Sequence, residues 1–110
     1  MPENTSLSYL DAIREAASQV ASLMRTLSNE DRLMILCRLS QGALSVSELE
    51  EGLDIRQPTL SQQLTVLRNE GAVETRREGK RIYYSVSDAR VLTLLDTLYA
   101  LYCPQPKEEM

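Results

Sequence analysis

Apolar residues in the N-terminal part of the chain recur every three or four positions, which predicts two amphipathic helices. The first spans about residues 9–27, and its stripe consists of Leu10, Ile13, Ala17, Val20, Met24 and Leu27. This alternation of three and four is the spacing of a coiled-coil seam. The second helix spans about residues 30–40, with Asn29 as its N-cap, and Gly42 interrupts it.

Two shorter helices joined by a turn are predicted next. Ser45 and Glu48 have the spacing of a capping box, so a third helix begins at Ser45 and ends near Gly52. Pro58 fits only the first turn of a fourth helix, because its missing N–H has no partner there in any case. Gly71 stops that helix. Together these two helices form a helix-turn-helix.

After Gly71 the apolar period changes from about 3.6 to 2, which predicts a β-hairpin. Val73 and Thr75 alternate with charged residues, and Ile82, Tyr84 and Val86 continue the alternation after a charged, glycine-containing tip at residues 78–81. A final helix begins after Ser87 or Asp88, and Pro104 prevents it from continuing.

The predicted fold is mainly α (α+β), a winged helix-turn-helix with the order α-α-α-α-β-β-α. A single domain covers residues 9–103, and residues 1–8 and 104–110 are predicted to be flexible tails. The first and last helices have apolar sides that one protomer does not need, so we expect a homodimer through both. The expected interface residues are Leu10, Ile13, Val20, Leu92, Leu95, Tyr99 and Tyr102.

Charge is unevenly distributed along this acidic chain, whose net charge is −4. Residues 56–90 contain seven Lys or Arg against four Asp or Glu, so this stretch carries +3 and the remainder −7. A protein of this kind would bind a polyanion through one face only. No apolar run is long enough to cross a bilayer and no signal peptide is recognisable, so a cytoplasmic location is the default expectation.

The outward face of the fourth helix is polar but nearly uncharged. Solvated helix faces usually mix Glu and Lys, whereas hydroxyl and amide side chains suit base edges and phosphates in the major groove of DNA. We therefore favour double-stranded DNA as the partner over an ordinary solvated face. The candidate DNA-binding residues on this helix are Gln57, Thr59, Ser61, Gln62, Gln63, Thr65 and Arg68.

The hairpin adds a cluster of cations, which on its own fits either a soluble strand edge or a wing that contacts DNA. Its position directly after the helix-turn-helix favours a wing. The candidate DNA-binding residues of the wing are Arg76, Arg77, Lys80 and Arg81.

A family resemblance rests on residues 64–86, which read LTVLRNEGAVETRREGKRIYYSV. This run of helix, glycine stop, basic wing and Tyr-Tyr strand resembles the ArsR/SmtB family of bacterial repressors, and the likeness extends over about residues 17–103. The resemblance implies a homodimer that binds palindromic operators and releases them when an inducer binds. It also implies that the chain is not an enzyme.

The metal sites of that family are not expected here. Its metal-sensing members have Cys-x-Cys at the start of the third helix, where this chain has Ser45-Val46-Ser47, and hydroxyls are poor ligands for soft metals. Other members bind zinc with histidines and carboxylates on the last helix, and this chain has no histidine. We therefore predict neither a metal site nor a cofactor.

Cys37 and Cys103 are the only cysteines of the chain. This pair resembles the sulfide- and persulfide-responsive branch of the family, the biofilm-growth repressor and sulfide-quinone-reductase repressor type. The resemblance implies that the two thiols form a disulfide or a sulfur-bridged link that lowers DNA affinity. Taken alone, Cys37 could equally be a small core residue, because it follows Leu36 on an apolar side of its helix, and Cys103 an exposed residue at a helix end.

Four alternatives remain open at this point. The two thiols could bind arsenite or another thiophilic ion, and the step Cys103-Pro104 is a weak cue for haem. A thiol oxidoreductase is disfavoured because the chain lacks both a Cys-x-x-Cys motif and a histidine base. A winged helix that binds only protein partners is disfavoured by the basic wing.

Overall fold

A computed structural model describes residues 2–103, with side chains from Ser8 onward. The predicted tail at residues 104–110 lies outside this part of the chain. Helix α1 covers Pro2–Leu27, so the start of the chain is helical where the sequence predicted a tail up to Ser8. Residues 2–8 have no apolar period that would reveal a helix in the sequence, and Pro2 is tolerated in a first turn. No helix within residues 2–103 is both long and apolar enough to cross a membrane.

Helices α2 (Glu30–Leu39) and α3 (Val46–Gly52) begin at the predicted caps. The side chain of Asn29 accepts a hydrogen bond from the backbone N–H of Arg32 at 2.9 Å. In α3 both halves of the capping box are present, since the Glu48 carboxylate accepts from the Ser45 backbone N–H at 2.8 Å and the Ser45 hydroxyl accepts from the Glu48 N–H at 3.3 Å. Ser45 is only 3% exposed, so these bonds satisfy groups that water cannot reach.

Helix α4 (Thr59–Asn69) follows α3 after a short turn and completes the helix-turn-helix. Ile55 anchors that turn in the core. The buried side of α4 consists of Leu60, Leu64 and Leu67, each at most 1% exposed. These leucines pack with Ile35 and Leu36 of α2, Leu49 of α3 and Val91 of the last helix in one hydrophobic core. Gly71, at φ +78, turns the chain out of the helix in a conformation that favours glycine.

The wing is a hairpin of β2 (Val73–Glu78) and β3 (Arg81–Val86). Its tip is the two-residue turn Gly79-Lys80, with Gly79 at φ +65. A strand that the sequence analysis missed, β1 (Leu44–Ser45), pairs with the other side of β3, so the sheet order is β1-β3-β2. Two residues are too few to show a period of two, and only the tertiary pairing defines this strand.

Helix α5 (Ala89–Tyr102) begins at Asp88, whose side chain accepts from the Arg90 backbone N–H at 2.9 Å. Before it, Ser87 fastens the end of the wing to the end of α4. The Ser87 hydroxyl donates to the Gly71 carbonyl at 2.7 Å, and the Ser87 N–H donates to the Ala72 carbonyl at 3.0 Å. The wing and α4 are therefore held as one unit.

We expect Ser45→Ala to lower the free energy of unfolding by about 1 kcal/mol, because it removes the N-cap acceptor of α3 in a buried setting. Urea denaturation measures this loss. The matched control is Glu50→Ala, which shortens an exposed side chain of the same helix and should change stability by less than about 0.5 kcal/mol. Equal losses in the two variants would contradict the capping role of Ser45.

Candidate DNA-binding surface and cysteine pair

The predicted DNA-facing side of α4 lies opposite its buried leucines. Gln57, Ser61, Gln62, Thr65 and Arg68 are exposed, whereas Thr59 and Gln63 are half-buried. Because the leucines fix the rotation of the helix about its axis, the face presented outward is polar, with Arg68 as its only charged member within Thr59–Asn69.

Some polar side chains on this face already form hydrogen bonds within the protein. The Gln57 amide oxygen accepts from both the backbone N–H of Ser61 at 3.1 Å and its hydroxyl at 2.7 Å. Gln57 therefore caps the start of α4, where Pro58 offers no side-chain hydrogen bond. The Thr65 hydroxyl donates to the Ser61 carbonyl at 2.9 Å. The side chains of Gln62 and Arg68 have no hydrogen bond to any other described residue, so they are available to a ligand.

Gln63 is held by a residue that the sequence analysis did not single out. Arg32 of α2 donates from Nη1 to the Gln63 amide oxygen at 2.9 Å. The two residues are 31 positions apart, and no local spacing in the sequence signals this contact. Gln63 therefore differs from its neighbour Gln62, which the sequence analysis treated as equivalent.

The four wing cations differ in how they are held. The Arg76 side chain donates to the Glu78 carboxylate at 2.9 Å and lies over the Tyr83 ring, 5.6 Å from its centroid. Both Arg76 and Glu78 are more than half exposed, so water screens this pair strongly. Arg77, Lys80 and Arg81 are exposed and form no ion pair with another residue of the described chain. The wing tip thus presents three uncompensated positive charges.

Most of the surface predicted for dimerisation is open to solvent in the single protomer. Every side chain from Ser8 to Ser22 in α1 is exposed. The predicted interface residues that are exposed are Leu10, Ile13, Val20, Leu92, Tyr99 and Tyr102. Other large apolar side chains exposed on the same two helices are Tyr9, Met24 and Leu101.

Leu95 corrects the predicted interface. It is 4% exposed and belongs to the core of its own protomer, one helical turn after the fully buried Val91. The sequence analysis placed it on the same apolar side as Leu92 and Tyr99, which lie three and four positions away. That spacing does not distinguish two apolar sides of one helix, and α5 has both an inner and an outer apolar side.

An apolar groove of about 540 Å³ separates α1 from α5. Val20, Leu23 and Met24 line it from α1, and Thr93, Leu94 and Thr97 line it from α5. The apolar sides of α1 and α5 therefore meet along this groove and form one continuous apolar surface.

Cys37 and Cys103 are both free thiols on the surface. Cys37 is not a core residue, because Ile35, Leu36 and Leu39 take the buried positions of α2 and Cys37 falls between them on the outer side. Cys103 ends α5, and its backbone N–H donates to the Tyr99 carbonyl at 2.9 Å.

The two thiols lie close enough to influence each other. Partial burial raises the pKa of the Cys37 thiol, and negative charge on Cys103 raises this pKa further. Both thiols belong to the same protomer, so this influence acts between the end of α5 and the middle of α2. Proximity of this kind is not visible in the sequence, where 66 positions separate the two residues.

The serines at the start of α3 have a structural role. Ser45 caps the helix, and its hydroxyl lies 3.3 Å from that of Ser47. Among the described residues, no group of three or more His, Cys, Asp or Glu side chains is arranged to hold a metal ion.

Known proteins share both this sequence and this architecture. The family model described as bacterial regulatory protein, arsR family, matches residues 29–75. The biofilm growth-associated repressor of Agrobacterium fabrum is 50% identical over 101 residues, which is 92% of this chain and 86% of that protein.

Solved structures agree with these matches. The crystal structure of the transcriptional repressor BigR from Xylella fastidiosa superposes with a TM-score of 0.81 at 47% identity, covering 86% of this chain and 97% of that one. A homodimeric winged helix-turn-helix DNA-binding domain from Mycobacterium bovis, described as a possible ArsR-family regulator, superposes with a TM-score of 0.68 at 33% identity, covering 80% of this chain and 82% of that one. The predicted winged helix-turn-helix is thereby confirmed, with β1 added. The chain belongs to the arsR family of bacterial regulatory proteins, which are transcriptional regulators and not enzymes.

Proposed function

We propose that this chain is a cytoplasmic, homodimeric repressor that binds palindromic operator DNA and releases it when persulfide or oxidant chemistry links Cys37 to Cys103. The observation that supports DNA binding best is the neutral, exposed polar face of α4, joined through Ser87 to a wing that carries three unpaired cations.

The two parts of this surface have different tasks. Exposed Gln62 and Arg68 of α4 suit base edges in the major groove, because a glutamine can pair bidentately with adenine and an arginine with guanine. Arg77, Lys80 and Arg81 of the wing suit phosphates, which fix position without reading sequence. The net charge of −4 repels DNA elsewhere, so binding is confined to this side of the molecule.

The apolar surface of α1 and α5 supports a homodimer. Surfaces of this extent are rare on a soluble monomer unless they contact a partner. The Mycobacterium bovis domain with the same architecture is described as homodimeric. A two-fold dimer presents two α4 helices and two wings, so the operator is expected to be palindromic, with half-sites about one DNA turn apart.

The sulfur switch follows from thiol exchange. The Cys103 thiolate attacks the terminal sulfur of a persulfide, R–S–SH, which leaves Cys103–S–SH and releases RS⁻. The Cys37 thiolate then attacks the inner sulfur of Cys103, which forms the disulfide and releases HS⁻. Two thiols are oxidised and one persulfide is reduced to a thiol and sulfide. If a second persulfide first converts Cys37 as well, attack of one persulfide on the other gives a three-sulfur bridge and again releases HS⁻.

A second effector is supported by the same proximity. Two thiols close together also suit arsenite or another thiophilic ion, since thiolates are the preferred ligands of soft metals. Intact mass spectrometry distinguishes the two. A persulfide product loses two hydrogens with or without a gain of one sulfur, whereas an ion adds its own mass.

Replacing Arg77 with Ala should weaken operator binding about tenfold and lessen the salt dependence. One lost phosphate contact in each of two protomers reduces the slope of log K against log salt by about 1.8. Fluorescence anisotropy over a salt series measures this slope. Arg14→Ala removes an exposed cation from α1 and should leave it unchanged. An unchanged slope in Arg77→Ala would contradict a phosphate contact at the wing.

Replacing Ile13 with Glu should shift the protein from dimer to monomer, because it places a charge on the apolar side of α1. Sedimentation velocity measures the state, and operator affinity should fall at least tenfold with it. Ser8→Glu, on the opposite side of α1, should remain dimeric. If Ile13→Glu stayed dimeric, the proposed interface would be wrong.

A persulfide donor should weaken operator binding of the wild type at least tenfold, while Cys37→Ser and Cys103→Ser retain their affinity. The raised pKa of Cys37 also sets the rate, because only the thiolate attacks. Closure of the link should speed up about tenfold per pH unit from neutral pH towards that pKa. Equal loss of binding in wild type and both variants would contradict the switch.

A further inference from the structure

One side chain joins the end of the dimer helix to the DNA-reading helix. The guanidinium of Arg32 donates to three acceptors: the Thr26 carbonyl at 2.7 Å, the Arg25 carbonyl at 3.2 Å and the Gln63 amide oxygen at 2.9 Å. The first two belong to the last turn of α1, and the third belongs to α4. The backbone of Arg32 is held as well, because its N–H donates to the side-chain oxygen of Asn29.

Each of these contacts suits an arginine. The last carbonyls of a helix have no partner within it and lie at the negative end of its dipole, so a cation there is stabilised. A guanidinium offers five donors in a planar fork and can span acceptors on two elements, whereas an ammonium acts as a point charge. Arg32 is half-buried, and its bonds to Thr26 and Gln63 are partly shielded from water.

The contact with Arg32 determines how Gln63 is oriented. A guanidinium donates hydrogen bonds and accepts none, so the group of Gln63 that faces it must be the carbonyl oxygen. The amide NH₂ then points away from Arg32 with two free donors. A glutamine in this state cannot form the bidentate pair with adenine, which needs the carbonyl oxygen as well as the NH₂.

We propose that Arg32 is a positioning residue that makes Gln63 a donor-only reader of DNA, which loses the bidentate pair with adenine and discriminates against cytosine, the one base without an acceptor in the major groove. Guanine offers O6 and N7, thymine offers O4 and adenine offers N7 as single acceptors, whereas cytosine offers only a donor there. Gln62 has no such restraint and keeps its capacity for adenine. This inference rests on the proposed DNA-binding function and adds a base preference that the two neighbouring glutamines do not share.

Selection from a duplex library with a randomised half-site tests the proposal, with the full-length dimer as the probe protein. The wild type should disfavour cytosine at one position of each half-site and show no special preference for adenine there. In Arg32→Ala the carbonyl of Gln63 is released, so the preference at that position should move to adenine or disappear. The slope of log K against log salt should not change, because Arg32 contacts no phosphate in this scheme.

A second variant keeps the test decisive if Arg32→Ala fails to fold. Gln63→Leu leaves the bonds from Arg32 to α1 in place and should erase the same preference. The matched control is Gln62→Leu, which should change a different position. On the selected duplex, the double variant Arg32→Ala/Gln63→Leu should bind no more weakly than Gln63→Leu alone, within about twofold.

Three results would overturn the inference. The first is an unchanged base preference in both Arg32→Ala and Gln63→Leu. The second is a uniform loss of affinity for all duplexes with a smaller salt slope, which would place Arg32 or Gln63 on a phosphate. The third is full additivity of the two substitutions. If the wild type selects no duplex at all, the proposed function and this inference fail together.

Discussion

Burial of the leucines on α4 is the constraint on which the rest of the molecule depends. Each fully buried leucine contributes about 1.5–3 kcal/mol relative to an exposed one, so rotating α4 by a third of a turn would cost several kcal/mol. Leu60, Leu64 and Leu67 therefore fix which side chains of α4 face outward. The wing is oriented together with α4, because Ser87 donates hydrogen bonds to the backbone carbonyls of Gly71 and Ala72, where α4 ends. A packed core thus determines the geometry of a polar surface that itself contributes little to stability.

The same core connects that surface to helix α2, which carries Cys37, one of the two proposed sulfur-sensing residues. Helix α2 contributes Ile35 and Leu36 to the core and carries Cys37 on its outer side. Earlier in α2, Arg32 joins the end of α1 to α4. A covalent link from Cys37 to Cys103 at the end of α5 would act on this helix, and a small shift of α2 would reach α4 through both leucine packing and the arginine. Packed interfaces tend to switch between discrete arrangements, which is how small local changes become large ones.

Local signals predicted most of the fold, whereas long-range contacts did not show in the sequence. The Asn29 and Ser45 caps, the Gly71 stop and the hairpin period each depend on a few adjacent residues, and the structure has all of them. The strand β1 exists only through its pairing with β3. Leu95 turned inward because α5 has apolar residues on two sides, and spacing cannot tell which side meets a partner.

The candidate site was predictable to a similar degree. Composition identified the faces of α4 and the wing, but not that Arg76 is paired, that Gln63 is held by Arg32 or that charge on Cys103 raises the pKa of Cys37. The central claim is that two copies of α4 and the wing, oriented by their leucine cores, contact DNA together. Hydroxyl-radical footprinting of the dimer on a selected duplex tests it most directly. We expect two symmetric protected patches on one side of the duplex, with centres about one helical turn, or 34–36 Å, apart. A single patch, or protection with no two-fold symmetry, would contradict the account.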